Sequence, residues 1–171
     1  MLINLIHVDA LAMVASLPDY EFVVVEEVVG EITDPQQAAA LQTAFAENHL
    51  KRDSLTDLDA LALFAELVQM MGRGEAASLA LADGKDCYLA CDEKRVFRRK
   101  ALELLGEDRL LTTPGIIVLC IKQGLLSVEQ ADEMKAILDS KRFVSKSAEM
   151  KGCSNRFQPN RPACGGTSMS G

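Results

Sequence analysis

From Leu2 to Leu17 the chain is mostly apolar, with Leu5, Val8, Leu11 and Ala12 at near-helical spacing. That pattern predicts one or two helical pieces. Glu21-Phe22-Val23-Val24-Val25 is compact and β-branched, as a short buried strand requires. Val28, Val29 and Ile32 mark a helical turn. Asp34-Pro35-Gln36-Gln37 then predicts a helix start, with Asp34 as N-cap, Pro35 in the first turn and Gln37 reaching back; that helix runs to about Glu47. Leu58, Leu61, Phe64, Val68 and Met71 recur at three- and four-residue steps and predict an amphipathic helix. Gly72 and Gly74 end it and open a helix of small residues, Ala76 to Ala82.

Asp86 to Cys91 reads as a strand, and Glu93 to Leu105 as a helix closed by Gly106. Arg109-Leu110-Leu111 is a short strand. Thr113 is the predicted cap of a helix through Ile116, Ile117 and Cys120 to Gly124. Ser127-Val128-Glu129-Gln130 has the capping-box pattern that opens the last long helix. From about Lys151 onward Cys, Ser, Asn, Pro and Gly dominate. Residues 151–171 are therefore expected to be a low-complexity tail, too poor in apolar surface to order itself. Strands alternating with helices predict an α/β domain over residues 1–150 with a parallel sheet. In such sheets, sites form beyond the carboxyl ends of strands, where Asp92 falls.

The 171 residues suit one domain with its own core. Five cysteines, an odd number, and the apolar surroundings of Cys87, Cys91 and Cys120 point to reduced thiols in a cytoplasm. No apolar run approaches the roughly 20 residues needed to span a bilayer. The net charge of −7 gives no overall attraction for nucleic acid, so any handling of phosphates must use local basic residues or a bound cation. Lys94, Arg95, Arg98 and Arg99 supply such a cluster just after Asp92. They are candidates for contacts to phosphate; the competing reading is a solvated face paired with Glu103 or Glu107.

Two carboxylates stand out. Glu75 lies in the first turn of the small-residue helix, and Asp92 follows an apolar strand. Carboxylates at the ends of neighbouring α/β elements can share a divalent cation, which makes the pair a candidate phosphodiester-cleaving site. Each has a plainer reading as well. Glu75 complements its helix dipole, and Asp92 is placed to cap the helix after it. His7 and His49 are isolated and fit surface or packing roles.

Gly72-x-Gly74-Glu75-Ala76-x-x-Leu79-Ala80-Leu81-Ala82, then Asp92-Glu93-Lys94-Arg95-x-x-Arg98, then Thr113-x-Gly115-x-x-x-Leu119 to Lys122-x-Gly124-Leu125 resemble a PIN domain, in order and spacing. The match is with the prokaryotic subgroup related to toxin–antitoxin ribonucleases and extends from Leu2 to about Ala148. The resemblance implies a three-layer α/β/α fold with a central parallel sheet and cleavage of single-stranded RNA using Mg²⁺ or Mn²⁺. It implies Glu31, Glu75 and Asp92 as catalytic, metal-holding acids; Lys94, Arg95 and Arg98, from their spacing after Asp92, are the candidate substrate contacts. A homodimer and a small antitoxin partner are implied as well. Few aromatic residues are present to stack bases, so RNA recognition by shape is expected.

One member of the family pattern has no counterpart. Met1-Leu2-Ile3-Asn4-Leu5 aligns just after the position of a first-strand Asp, so that strand and its acid are expected to be missing. The competing register takes Asp9 as the strand-end acid, at the cost of a short interval to the next strand. A binding protein without catalysis is the corresponding alternative function.

Overall fold

In this computed structural model, residues 1–92 and 96–140 are described. The chain opens with two short helices, α1 (Leu2–His7) and α2 (Leu11–Ala15). The β-branched run becomes β1 (Val23–Val25), which leads directly into α3 (Glu26–Glu31). Then come α4 (Pro35–Ala46), β2 (Lys51–Asp53), α5 (Leu58–Leu67) and α6 (Arg73–Gly84). The second half contains β3 (Leu89–Ala90), α7 (Val96–Leu105), a 3-10 turn at Glu107–Arg109, β4 (Leu110–Leu111), α8 (Thr113–Lys122) and α9 (Val128–Ser140).

Local chemistry sets most of the boundaries. Asp34 accepts hydrogen bonds from the amides of Gln36 and Gln37, and Asp57 does the same for Asp59 and Ala60. The Ser127–Gln130 capping box is reciprocal, with distances of 2.9 and 3.2 Å. Gly106 takes φ +77 after α7 and Gly124 takes φ +71 after α8, conformations that a side chain would strain. The cap of α8 is Thr112 rather than Thr113: its hydroxyl accepts from Gly115 N at 3.2 Å. Gln37 does not reach back to its own helix start; its amide lies 3.4 Å from His7 Nε2.

All strand pairing is parallel. β1 pairs with β2 and β3 with β4, giving two sheets of two strands among the described residues. Strand β2 is Lys51-Arg52-Asp53, a polar segment with no strand signal in the sequence. It is set by its neighbour: Lys51 N donates to Phe22 O, Lys51 pairs with Glu21, and its side chains are largely solvated. No strand precedes Val23 among the described residues, and Asp9 is exposed at φ 51 after α1.

Successive strand residues point to opposite sides, and the two cores follow that alternation. Leu89 and Leu110 face a core made by α5, α6 and α7, through Leu67, Leu79, Ala80, Phe97 and Ala101. Ala90 and Leu111 face the other core, with Leu5, Val14, Leu41, Ile116 and Leu138 from α1, α2, α4, α8 and α9. The strands thus lie between two helical layers, the α/β/α arrangement the sequence predicts. Cys91 and Cys120 are buried, whereas Cys87 is disulfide-bonded rather than the reduced thiol the sequence predicts. Burial pushes the Cys120 thiol up from its ordinary pKa. Among the described residues no helix is long and apolar enough to cross a membrane.

Candidate functional site

The two sheets do not meet. Between β1 and β3 lies a cavity of about 460 Å³, lined on one side by Phe22 to Val25 and on the other by Tyr88 to Asp92. Its carboxylates include all three predicted acids. Glu31 comes from the last turn of α3, Glu75 from the first turn of α6, and Asp92 from just beyond β3. The first turn of α6 packs against α3, while the far end of α6 leads back to the start of β3. The acids therefore collect at the carboxyl ends of the strands, the usual location of sites in parallel α/β folds.

Each acid is held by backbone amides. Glu31 Oε1 accepts from Gly74 N at 2.8 Å, at the N-terminus of α6. Gly74 is buried, and its missing side chain leaves room for this contact: a Cβ there would overlap Glu31 Oε2. Glu75 Oε2 accepts from Gly72 N at 3.2 Å, closing the same helix start. Asp92 is the most engaged. Its Oδ1 accepts from Thr113 N at 2.8 Å, and its Oδ2 accepts from Thr113 Oγ1 at 2.5 Å and Asn4 Nδ2 at 2.8 Å. The α-ammonium of Met1 lies 3.5 Å from Asp92 Oδ2. Sequence reasoning missed Asn4, and for Thr113 it ranked helix capping above the bond to a carboxylate that the structure shows. The available signal was a lone amide in the apolar run Leu2 to Ile6.

Among the described lining residues there is no Lys, Arg or His side chain. The fourth carboxylate of the lining, Glu21, is paired with Lys51 at 2.5 Å. Glu31, Glu75, Asp92 and Ser78 all line this cavity, and the atoms they offer are oxygens, the donors that hard dications take. The donor chemistry fits such an ion. Among the described residues no group of three or more His, Cys, Asp or Glu is arranged to hold a metal ion.

Of the predicted substrate contacts, Lys94 and Arg95 lie outside the described residues, as does the 151–171 tail. Arg98 is on α7, half-buried, and does not line the cavity. Asp9 does not line it either. Lys100, on the same helix, pairs with Glu103 at 3.1 Å.

The comparisons agree with this geometry. A family model described as a PIN domain matches residues 1–151, nearly nine-tenths of the chain. No curated protein and no solved structure matches it. Helical layers around parallel strands, acids gathered at the strand ends and a family match over most of the length lead to one identification: the chain belongs to the PIN domain family and has its nuclease-type fold.

Proposed function

We propose that this protein is an endoribonuclease that cuts single-stranded RNA with the help of Mg²⁺ or Mn²⁺, and that it acts as the toxin of a toxin–antitoxin pair in the cytoplasm. The observation that carries the reading is the lining of one cavity by Glu31, Glu75 and Asp92 with no basic side chain among its described neighbours. Uncompensated carboxylates repel one another and repel phosphate, so their grouping makes sense around a cation. Such a cation supplies an activated water and offsets charge developing on the phosphate.

Glu31, Glu75 and Asp92 would hold it. Glu31 and Glu75 bond to amides at an open helix start, and both can rotate away from them. Asp92 is fixed by three hydrogen bonds and serves as the stationary ligand. Lys94, Arg95 and Arg98 would contact phosphates on either side of the cleaved bond. Exposed Leu58 and Leu61 on α5, and Val128 at the start of α9 with Ile137 further along it, are the apolar positions that a homodimer or an antitoxin would cover.

The test is cleavage of a labelled single-stranded RNA by the full chain, with and without EDTA. Cleavage should need Mn²⁺ or Mg²⁺ and should be lost in Asp92→Asn and Glu75→Gln. Cleavage that survives EDTA, or that is equal in wild type and both variants, refutes the assignment. RNA binding without cleavage would move the protein to a non-catalytic role.

A further inference from the structure

We propose that Thr113 is the positioning residue for Asp92, the clamp that aims this carboxylate into the cavity. The inference rests on the metal-site reading above and adds to it a residue that touches neither cation nor RNA. Thr113 is fully buried, the sole polar side chain in that class among the described residues. A buried hydroxyl is costly unless it is hydrogen-bonded, and this one has a single side-chain partner, Asp92.

The usual structural reason for a threonine here does not apply. The N-terminus of α8 is already capped by the neighbouring Thr112, through its bond with Gly115 N. That leaves the Thr113 hydroxyl free for another task. It turns toward β3 and, with the Thr113 main-chain amide, grips both oxygens of Asp92 at once. A two-point grip fixes the rotation of the carboxylate plane as well as its position. Asn4, from α1, adds a third donor on Oδ2 at 2.8 Å. By lone-pair count among the described residues, Oδ2 accepts two bonds and faces an ammonium, whereas Oδ1 accepts one. Of the two, Oδ1 has the fewer described partners, and the grip decides which way it points. Outer partners of this kind orient ligands, and their loss typically lowers metal affinity or activity by about 10–100-fold.

The experiment compares Thr113→Val, which keeps shape and removes the hydroxyl, with Thr113→Ser, which keeps the hydroxyl. The full-length protein is titrated with Mn²⁺ alone by calorimetry, and crystal structures of both metal-free variants are determined. In Thr113→Val, Mn²⁺ should bind at least about tenfold more weakly, and the Asp92 carboxylate should be rotated or split between rotamers. Thr113→Ser should stay within a few-fold of wild type and keep Asp92 in place. An unrotated Asp92 in Thr113→Val overturns the proposal, and so does a serine variant as impaired as the valine variant, since packing of the methyl would then be what matters. The rotamer comparison involves no metal. If wild type binds no Mn²⁺ while Asp92 rotates in Thr113→Val alone, the clamp stands and the metal reading fails. If Thr113→Val does not fold, Asn4→Ala removes one donor from the same oxygen. It should weaken Mn²⁺ binding in the same direction; unchanged affinity together with an unmoved Asp92 overturns the clamp.

Discussion

Gly74→Ala probes the point where one candidate acid meets the helix that presents another. The new Cβ would overlap Glu31 Oε2 and lie 2.9 Å from Glu31 Cδ and 3.0 Å from Val28 Cγ2. The glutamate tip can swing away, so the steric cost is small. What is lost is the bond from Gly74 N to Glu31 Oε1. A hydrogen bond to a charged group contributes about 1.5–3 kcal/mol, and the exposure of Glu31 lowers that to about 1 kcal/mol because water competes. Alanine at the second position of α6 recovers only part of the roughly 1 kcal/mol it gains in a helix interior. The variant should therefore be slightly destabilised. Gly30→Ala is the control: it lies in α3 with nothing within 4 Å of a built Cβ, so it should stabilise by about 0.5–1 kcal/mol. The two variants should then differ by about 1–2 kcal/mol, or roughly 2–8 °C in Tm for a chain of this size. Calorimetry with matched buffers reads the difference, and Mn²⁺ titration should show weaker binding in Gly74→Ala alone. If both glycine variants stabilise equally and bind Mn²⁺ like wild type, the Glu31–Gly74 contact has no role in stability or in the site.

Other consequences can be measured independently. Thr112→Ala removes the cap of α8 and should cost about 1 kcal/mol, seen as a lower urea midpoint at unchanged slope; an unchanged midpoint would mean that Asp92 alone caps the helix. In the parallel ladders, the Val24 and Cys91 amides point to β2 and β4, whereas those of Val25 and Ala90 point into the cavity. Hydrogen exchange should be at least about tenfold faster at Val25 and Ala90, and equal protection would show that those amides have partners. Cys120 is buried with its pKa raised by desolvation, so native protein should carry little thiolate there. Iodoacetamide at pH 8 should alkylate Cys120 only after unfolding; rapid labelling in the native state contradicts the packing.

The legible parts of this fold are those specified locally. Asp34-Pro35 and Ser127-x-x-Gln130 carry their capping chemistry in adjacent residues, and both helices begin where those residues place them. The valine run gives β1 by its own shape preference. Strand β2 was invisible because Lys51-Arg52-Asp53 owes its conformation to pairing with β1, a contact across 28 positions. Strand lengths were overestimated for the same reason. The run from Asp86 to Cys91 reads as one strand, but the paired residues of the ladder are Leu89 and Ala90, with one further bond from the Cys91 amide to Leu111 O. Within the site, the acids could be read from their positions at element ends. Their holders could not, because Asn4 and Thr113 reach Asp92 across 88 and 21 positions. The family pattern put the acids at element ends, where the structure has them, while tertiary contacts chose their partners.

On the proposed function, charge favours cation binding over capping alone as the reason for these acids. All three touch helix N-termini or their caps, which by itself supports a structural role. A helix N-terminus carries about half a positive charge, so α6 and α8 together offset about one of the three negative charges. Glu21 does not add to the excess, because Lys51 neutralises it. The α-ammonium of Met1 beside Asp92 offsets at most one more. About one to two negative charges remain on the cavity wall, and no described basic side chain lines it. If capping were the whole purpose, one carboxylate per helix would suffice, whereas α6 receives two. The second acid adds repulsion that the helix cannot offset. A dication is opposite in sign to this excess and comparable in size, and oxygen donors are the ligands it prefers. Capping explains why the acids are held in place; the proposed cation would account for the surplus of charge that capping leaves.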